Sequence, residues 1–499
     1  MATKRAVTVW SALWTAIRRS IDGASWYPWT VLLLLACVDA PPLEPDLDVV
    51  VIGAGASGLV AARQAQEAGA STVVLEMADS AGGGAGYAGR FLAVGTPQQS
   101  SVGVTDTVEI ALSEWPDFTN EEPDAVVQAF IEDSAGILGD FEDRYGAEFI
   151  PPVPAQDAGD TPRVHALSEP FVEDLVAGIE DLRTGVRVER LLEGDDGVCG
   201  VVATELSTGD SFELTASAVI VATGGFARDL ERVRADRPGL GQQRLAEAHP
   251  DALGLGHDMV ESLGGGWQNA GNYGTYVHAM ADPEDPLEAI WLGHVPPAMG
   301  LDATGQRLID ESAAQTMELA YMLEANEDPR WLLFFPESAI DLLSAVRPSY
   351  NDPDSELLGV DDLLELGAMT WYEEIHSAGE DLGVDVSEAV ATYDAYAEDG
   401  EDLDFGKPSH YLHPFGDAPV VVAEILPGAA KAFVGVPTDE HGRILDVDGE
   451  VISGLYGSGE LIGMLGTPAV GRGFTGSVSA VYWSGLRAGQ TAASDALGD

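Results

Sequence analysis

Cysteine is nearly absent from this sequence, which has only Cys37 and Cys199 among its 499 residues. Two cysteines cannot supply a disulfide framework, and they are too few to ligate an iron–sulfur cluster. The sequence also has no Cys-x-x-Cys-His motif for haem attachment. We therefore expect any redox centre to be a bound organic cofactor, and we predict no metal site.

Basic residues are also scarce, with 24 lysines and arginines against 83 acidic residues and a formal net charge of −59. Such a surface repels nucleic acids and anionic membrane faces, which excludes both as partners. The acidity fits either adaptation to salt and general solubility, or an acidic face for a basic partner such as an electron carrier. Hydrophobic residues make up 45% of the chain, enough for two or three folded domains.

The N-terminal segment contains an apolar run, Thr30–Val38, that is too short to span a bilayer but suits the core of a signal peptide. Leu34–Cys37 resembles a bacterial lipobox, in which the cysteine is lipidated. We therefore expect residues 1–45 to be a signal and tether, with a lipid anchor at Cys37 and export to the cell envelope. The alternative is a cytoplasmic enzyme with an interfacial or disordered leader, or with a misplaced start codon.

The stretch Asp48–Glu76 has the pattern of a strand, a glycine-rich turn, a helix and a second strand. Gly53, Gly55 and Gly58 form a Gly-x-Gly-x-x-Gly motif directly after the first strand. In such units the glycines permit a tight turn, close approach of a pyrophosphate and close helix packing, and the helix N-terminus faces the phosphates. An acid after the second strand accepts hydrogen bonds from ribose hydroxyls. The stretch predicts a dinucleotide site; a glycine-rich turn in an ordinary βαβ unit is the alternative.

Further glycine-rich stretches follow. Residues 82–89 contain five glycines, which indicates backbone lying against something flat or bulky, with a loose surface loop as the alternative. Phe171–Leu182 predicts a helix. Ala218–Ala227 predicts a buried strand that runs into Thr-Gly-Gly. A second glycine-rich strand end beside the first is what a two-ended cofactor requires.

With Gly454–Glu460 near the C-terminus, these stretches resemble the FAD-dependent fumarate reductase / succinate dehydrogenase flavoprotein family, over residues 46–499. That family includes ketosteroid dehydrogenases and urocanate reductases. The resemblance implies an α/β fold, in which a Rossmann-like FAD-binding domain has a parallel sheet with helices on both faces and carries an inserted α+β capping domain. It implies that residues 46–270 and 425–499 form the FAD-binding domain and residues 271–424 the cap.

The resemblance also implies FAD as the cofactor, and we expect it to be non-covalent because no histidyl or cysteinyl attachment point stands out. The residues predicted to contact FAD are Gly53, Gly55, Ala56, Ser57, Gly58, Glu76, Met77, Gly83, Gly84, Ala85, Gly89, Val188, Ala222, Thr223, Gly224, Gly459, Glu460, Gly476 and Ser477.

Family members move a hydride between the flavin and a substrate carbon, and a proton to or from the neighbouring carbon. Asp302–Glu311 resembles the family motif N-x-x-G-x-R-F-x-x-E. The arginine that donates the proton in fumarate reductases falls near Gln315, which cannot do acid–base work. The histidine of the family's HxTxGG motif falls near Lys431. We therefore do not predict fumarate reduction.

Five residues are the catalytic candidates that the resemblance suggests. Arg472 lies close to the position of the family's substrate-clamping arginine, and an arginine is suited to grip a carboxylate. Lys431 is the first candidate for the proton group, followed by Tyr273, Tyr276 and His278. The alternatives are a structural salt bridge for Arg472, a surface position for Lys431 and packing roles for the aromatic residues.

The sequence thus predicts an FAD-dependent oxidoreductase that transfers a hydride between flavin and a C–C bond next to a carboxylate or carbonyl. Its expected partners are a small-molecule substrate, an unsaturated acid or ketone, and a separate electron carrier. One alternative is a ketosteroid dehydrogenase-like enzyme. Another is a non-catalytic or electron-relay flavoprotein on the cell envelope.

Overall fold

The strands and helix predicted for Asp48–Glu76 form, and they lie in the largest sheet of the protein. From Asp46 onward the chain is one compact unit. Residues 1–44, with the predicted signal, tether and lipidated Cys37, lie outside the described residues, so that prediction stays open. The computed structural model describes residues 45–498 except 85–88, 120–121, 153–160, 168–170, 239–247, 278, 285–288, 293–295, 314–316, 344–345, 347–355 and 467–476.

The described strands are numbered in chain order. They are β1 (Leu47–Ile52), β2 (Thr72–Leu75), β3 (Arg90–Leu92), β4 (Phe149–Ile150), β5 (Val164–Leu167), β6 (Leu182–Arg183), β7 (Val186–Gly194), β8 (Gly197–Glu205), β9 (Ser211–Val221), β10 (Tyr273–Tyr276), β11 (Ala279–Ala281), β12 (Ala289–Trp291), β13 (Met299–Asp302), β14 (Trp331–Pro336), β15 (Met369–Tyr372), β16 (Val420–Ile425), β17 (Gly428–Ala432), β18 (Arg443–Leu445) and β19 (Val451–Gly457).

The described α-helices are α1 (Ala56–Glu67), α2 (Pro97–Ser101), α3 (Val108–Thr119), α4 (Ala125–Tyr145), α5 (Val172–Val176), α6 (Leu230–Asp236), α7 (Leu255–Ser262), α8 (Met317–Glu324), α9 (Val360–Leu366), α10 (Ile375–Leu382), α11 (Ser387–Asp399) and α12 (Ser477–Leu497). Short 3-10 helices span Glu311–Ala313, Glu337–Leu342, Ser409–Tyr411, Gly459–Ile462 and Met464–Gly466. Of the helices described, none is both long enough and apolar enough to cross a membrane.

The central sheet has the strand order β18-β19-β9-β1-β2-β6, with β7 and β8 joined to it through β9. The pairs from β19 to β6 are parallel, and β18 is an antiparallel edge strand. Parallel strands buried on both faces need long apolar runs, which is what Val49–Ile52 supplies. The predicted parallel sheet is therefore confirmed.

Alternating residues of β1 point into two separate hydrophobic cores. Val49 and Val51 pack with residues of α1, α4 and α12 on one face. Val50 and Ile52 pack with residues of α7 and of the β7–β8 hairpin on the other. Helices thus cover both faces as predicted, although an antiparallel hairpin supplies much of the second cover.

A second sheet, with the order β13-β14-β16-β15, is antiparallel throughout. One of its faces packs with residues of α8 and α9, and the other with residues of α10 and α11. This is the α+β cap that the sequence predicts. The exact boundaries at residues 270/271 and 424/425 stay predictions.

The two-stranded ribbon β10–β17 joins residues of the predicted cap to residues of the second half of the FAD-binding domain. Its register pairs Tyr273 with Ala432 and Gly274 with Lys431. Asp236, the last residue of α6, accepts hydrogen bonds from the Tyr273 hydroxyl at 2.8 Å and from the Gly271 N–H at 2.7 Å. The ribbon that carries Lys431 is therefore held against α6.

Helix α7 buries a histidine among aromatic rings. His257 has no exposed surface, stacks on Trp267 with ring centroids 5.2 Å apart, and meets Phe226 edge-on at 5.1 Å. Burial, and to a smaller extent the charge of Arg232, lowers the pKa of His257 to about 3, against a weaker opposing effect of the Leu461 carbonyl. The folded protein therefore holds this imidazole in its neutral form.

We expect His257 to make the fold sensitive to acid. In the unfolded chain the His257 imidazole binds a proton below about pH 6.5, whereas in the folded chain it binds one only below about pH 3. The contribution of neutral His257 to the free energy of unfolding is complete above pH 6.5. As the pH falls below that value, the free energy of unfolding decreases by at most about 1.4 kcal/mol per pH unit. The His257→Gln variant should lose less free energy of unfolding than wild type between pH 7 and pH 4.5 in denaturant titrations. An identical loss in both proteins would contradict this prediction.

Candidate functional site

A cavity of about 760 Å³ opens where three parallel strands end. The register places Ile52 of β1 beside Val221 of β9, and Val221 beside Gly457 of β19, so all three carboxyl ends meet at one edge. The predicted contact residues that line this cavity are Gly53, Gly55, Ala56, Ser57, Glu76, Met77, Gly83, Gly84, Gly89, Val188, Ala222, Thr223, Gly224, Glu460 and Ser477.

The remaining predicted contact residues differ from these. Gly58 is buried and does not line the cavity. A Cβ atom at Gly58 would lie 2.0 Å from the carbonyl oxygen of Gly53, so the glycine lets α1 pack against the turn. Gly459 also lies outside the lining, packed against Ser57. Ala85 and Gly476 lie outside the described residues.

The turn after β1 offers an anion site at the start of a helix. Gly55 is the N-cap of α1, and no side chain caps that helix end. A Cβ atom at Gly55 would meet nothing within 4 Å, although Gly55 borders the cavity. Uncapped N–H groups beside open space are suited to a phosphate. This arrangement fits the pyrophosphate of a dinucleotide.

Glu76 is fixed at the cavity wall by the backbone. Its carboxylate accepts hydrogen bonds from the N–H groups of Ala54 at 2.6 Å and Ala78 at 2.8 Å. A carboxylate has about four acceptor positions, so capacity remains for hydroxyl donors. Glu76 therefore has the position and chemistry to bind ribose hydroxyls.

Glu460 lies at the cavity wall where β19 passes into a 3-10 helix. It accepts a hydrogen bond from the Ala432 N–H at 2.8 Å. Burial raises the pKa of Glu460 to about 7, although the N–H groups of Ala432 and Gly225 and the charge of Lys431 oppose this shift. Near neutral pH this carboxyl group can therefore hold or release a proton.

Lys431 lies in β17 and lines the cavity. Its aliphatic stem lies against Gly274, its register partner in β10, and its ammonium group lies 5.6 Å from the ring centroid of Phe433. The chain has only three lysines, Lys4, Lys407 and Lys431. Of the two that the structure describes, Lys407 is buried in the cap and Lys431 is half-buried at the cavity wall. Lys431 is thus a partly covered residue of the cavity wall and not a fully exposed lysine.

The structure places the other catalytic candidates differently. Tyr276 lines the cavity, as predicted for a residue near the substrate. Tyr273 is fully buried, does not line the cavity and donates its hydroxyl to Asp236. Burial and this hydrogen bond raise the pKa of Tyr273 far above its usual value, so the phenol keeps its proton. We therefore remove Tyr273 from the catalytic candidates. His278 and Arg472 lie outside the described residues.

Several cavity residues carry no motif by which the sequence could have identified them. They come from strands, helices and loops far apart in the chain, and only the folded structure brings them together. They include Arg90, Phe171, Arg187, His249, Asp251, Trp291, Met464 and Val481.

Comparisons with known proteins agree with this geometry. A family model described as "FAD binding domain" matches residues 48–473. The fumarate reductase (cytochrome) of Shewanella frigidimarina is 26% identical over 92% of this chain and 78% of its own length. A KsdD-like steroid dehydrogenase of Mycolicibacterium smegmatis is 27% identical over 84% of this chain and 94% of its own length. The solved structure of 3-ketosteroid delta1-dehydrogenase from Sterolibacterium denitrificans has a TM-score of 0.74 at 18% identity, covering 90% of this chain and 99% of that chain, which shows a common fold.

Proposed function

Since this chain belongs to the FAD binding domain family, we propose that it transfers a hydride between FAD and a C–C bond next to a carboxylate or carbonyl. Family membership confirms FAD as the cofactor. The observation that carries the proposal is one cavity lined both by the dinucleotide turn and by Lys431 and Tyr276 of the β10–β17 ribbon. The relatives named for fumarate and for steroids support the class of reaction.

The residues of the chain divide the work between binding and proton transfer. Bound FAD supplies the atom that gives or takes the hydride. The turn at Gly55 and the N-terminus of α1 would hold the pyrophosphate, and Glu76 would hold a ribose. Lys431 holds a proton at Nζ for the carbon next to the one that receives the hydride. Arg472 remains our proposed clamp for an anionic or carbonyl group.

The substrate we propose is an unsaturated acid or ketone other than fumarate. Tyr276, Trp291, Met464 and Val481 line the cavity together with Lys431, so much of its wall is apolar or aromatic. Bound FAD would cover part of this wall, and fumarate, which is small and doubly charged, would bury little of what remains. The same lining favours a second candidate, a ketosteroid dehydrogenase-like enzyme, because a steroid ketone would bury its apolar rings there.

We also propose that FAD is bound without a covalent link. Cys199, the one cysteine in the described part of the chain, does not line the cavity. Denaturation of the purified holoprotein should release FAD into the supernatant. Flavin that stays with the precipitated chain would contradict the non-covalent link. A chain that binds no flavin after reconstitution with FAD would contradict the whole proposal.

The Lys431→Met variant tests the proton role. We expect it to keep its FAD but to slow the reaction of reduced flavin with an unsaturated substrate by roughly 10²–10⁴-fold, the usual contribution of a general acid. Arg183→Met is a matched control, because it removes one cation at an exposed position. Stopped-flow absorbance of the flavin measures both variants. Equal rates in Lys431→Met and wild type would show that another group holds the proton.

A further inference from the structure

Glu460 connects three parts of the cavity wall that lie far apart in sequence. It follows β19, and the N–H of Ser458 before it donates to the carbonyl of Val221 at the end of β9. Its carboxylate reaches β17, where it accepts the Ala432 N–H at 2.8 Å. The carboxylate also lies against the turn after β9, since a Cβ atom at Gly225 would come within 2.3 Å of its Oε1 atom.

These contacts act on the residue next to Ala432, which is Lys431. Ala432 is paired with Tyr273 on its other edge, and Tyr273 is in turn bound to Asp236. The backbone beside Lys431 is therefore held from two sides, by Glu460 and by β10. A carboxylate that accepts backbone N–H groups fixes a strand in the same way that a cap fixes a helix.

The charge of Lys431 also acts on the Glu460 carboxyl group, as do the N–H groups of Ala432 and Gly225. Lys431 is the one charged side chain among these groups. When Glu460 is charged, its carboxylate lowers the positive potential that Lys431 offers to an anion. A neutral carboxyl group leaves that potential in place.

We propose that Glu460 is a positioning residue for Lys431. Glu460 fixes the strand that carries the ammonium group, and it regulates the positive charge that Lys431 offers to an anionic substrate. This inference rests on the proposed role of Lys431 in the reaction. It differs from a simple cofactor contact, in which Glu460 would hold FAD and leave Lys431 unaffected.

The burial of Glu460 gives the proposal a pH profile. Because burial raises the pKa of Glu460 to about 7, the carboxyl group is neutral below that pH and charged above it. The summed charge of Lys431 and Glu460 is therefore most positive below pH 7, and it becomes less positive as the pH rises and Glu460 ionises. The profile can be read with an inorganic anion, so no substrate has to be identified first.

The probe is sulfite, which adds to oxidised flavin and bleaches its visible absorbance, titrated into the FAD-loaded protein at pH 6 and pH 8. At pH 8 we expect Glu460→Gln to bind sulfite roughly tenfold more tightly than wild type, because one nearby negative charge is gone. At pH 6 the two proteins should agree within about twofold. The ratio between the proteins cancels the titration of sulfite itself. The matched control is Glu450→Gln, which removes the same charge at an exposed position and should resemble wild type at both pH values.

A double-mutant cycle separates coupling to Lys431 from a general charge effect. In a Lys431→Met background, Glu460→Gln should give a clearly smaller gain at pH 8. An equal gain in both backgrounds, an equal gain at both pH values, or no gain at all would overturn the proposal. Weaker FAD binding in Glu460→Gln, with unchanged sulfite affinity after reconstitution, would also overturn it and would identify a cofactor contact only.

A second measurement tests the positioning role of Glu460. It does not use flavin absorbance, so it can be made even if Glu460→Gln retains too little FAD for the sulfite titration. Hydrogen exchange of a peptide spanning β17 should quicken in Glu460→Ala and stay near wild type in Glu450→Gln. Unchanged exchange in Glu460→Ala would overturn the positioning role. A wild-type protein that binds FAD and sulfite but reacts with no organic substrate would contradict the proposed function, and the sulfite comparison could still be made.

Discussion

The Gly58→Ala variant is expected to lose most of its FAD. The added Cβ atom would lie 2.0 Å from the carbonyl oxygen of Gly53 and 3.2 Å from the Cβ atom of Ala222. Both neighbours belong to the turn residues at the carboxyl edge of the sheet, and the nearer one is backbone, so α1 must shift away from the turn. Overpacking of this kind costs about 1–3 kcal/mol. If that cost falls on the binding-competent state, FAD affinity falls roughly ten- to hundredfold.

The matched control for this substitution is Gly136→Ala. Gly136 is exposed in the middle of α4, and a Cβ atom there would meet nothing within 4 Å. Alanine in a helix interior should stabilise the chain by about 0.5–1 kcal/mol and leave FAD content unchanged. The measurement is the flavin-to-protein ratio with a fluorescence titration of the apoprotein. Normal FAD affinity in Gly58→Ala would show that the turn does not hold the pyrophosphate as we describe.

Among the variants described here, Arg163→Met should cause the largest loss in the free energy of unfolding. Arg163 is buried with Asp106, to which it donates two hydrogen bonds, from Nε at 2.9 Å and from Nη2 at 2.8 Å. Its third nitrogen donates to Glu114 at 2.7 Å. Removing the cation leaves Asp106 as a buried charge, and within the described part of the chain its remaining side-chain donor is the Gln99 amide. Breaking such a pair costs about 3–5 kcal/mol of the free energy of unfolding.

Chemical denaturation of the FAD-loaded protein measures this loss. The exposed pair of Arg183 and Asp181 supplies the control, because Arg183→Met should cost at most about 1 kcal/mol. Replacing both partners, in Arg163→Met with Asp106→Leu, should recover part of the loss, since no buried charge is then left alone. A loss in Arg163→Met no larger than in Arg183→Met would contradict the prediction.

The cofactor end of the site could be predicted from the sequence because it is built from backbone. Tight turns and close helix packing require glycine at fixed spacing, so Gly53, Gly55 and Gly58 carry the information locally. The acid at the end of β2 follows the same spacing rule. The structure places these residues at one edge of one sheet, as the pattern predicts.

The substrate end was harder to predict because its side chains depend on distant partners. Nothing near Tyr273 in the sequence indicates that Asp236 takes its hydroxyl, whereas Tyr276, three residues on, lines the cavity. The helix predicted over Phe171–Leu182 was wrong in its second half. The structure has a helix only over Val172–Val176, because residues 182–183 pair with β2 as strand β6. Pairing with the edge of the sheet overrides local helix propensity.

The central claim is that the bound flavin exchanges a hydride with a carbon–carbon bond. Anaerobic mixing of the reduced, FAD-loaded protein with a panel of unsaturated acids and ketones, including fumarate and a 3-ketosteroid with a ring double bond, tests it directly. We expect the visible absorbance of oxidised flavin to return with at least one unsaturated ketone or acid other than fumarate. The saturated product should appear in equal amount by mass spectrometry. Flavin that stays reduced with every compound, yet is reoxidised at once by a protein electron acceptor, would contradict the claim and identify an electron-relay flavoprotein.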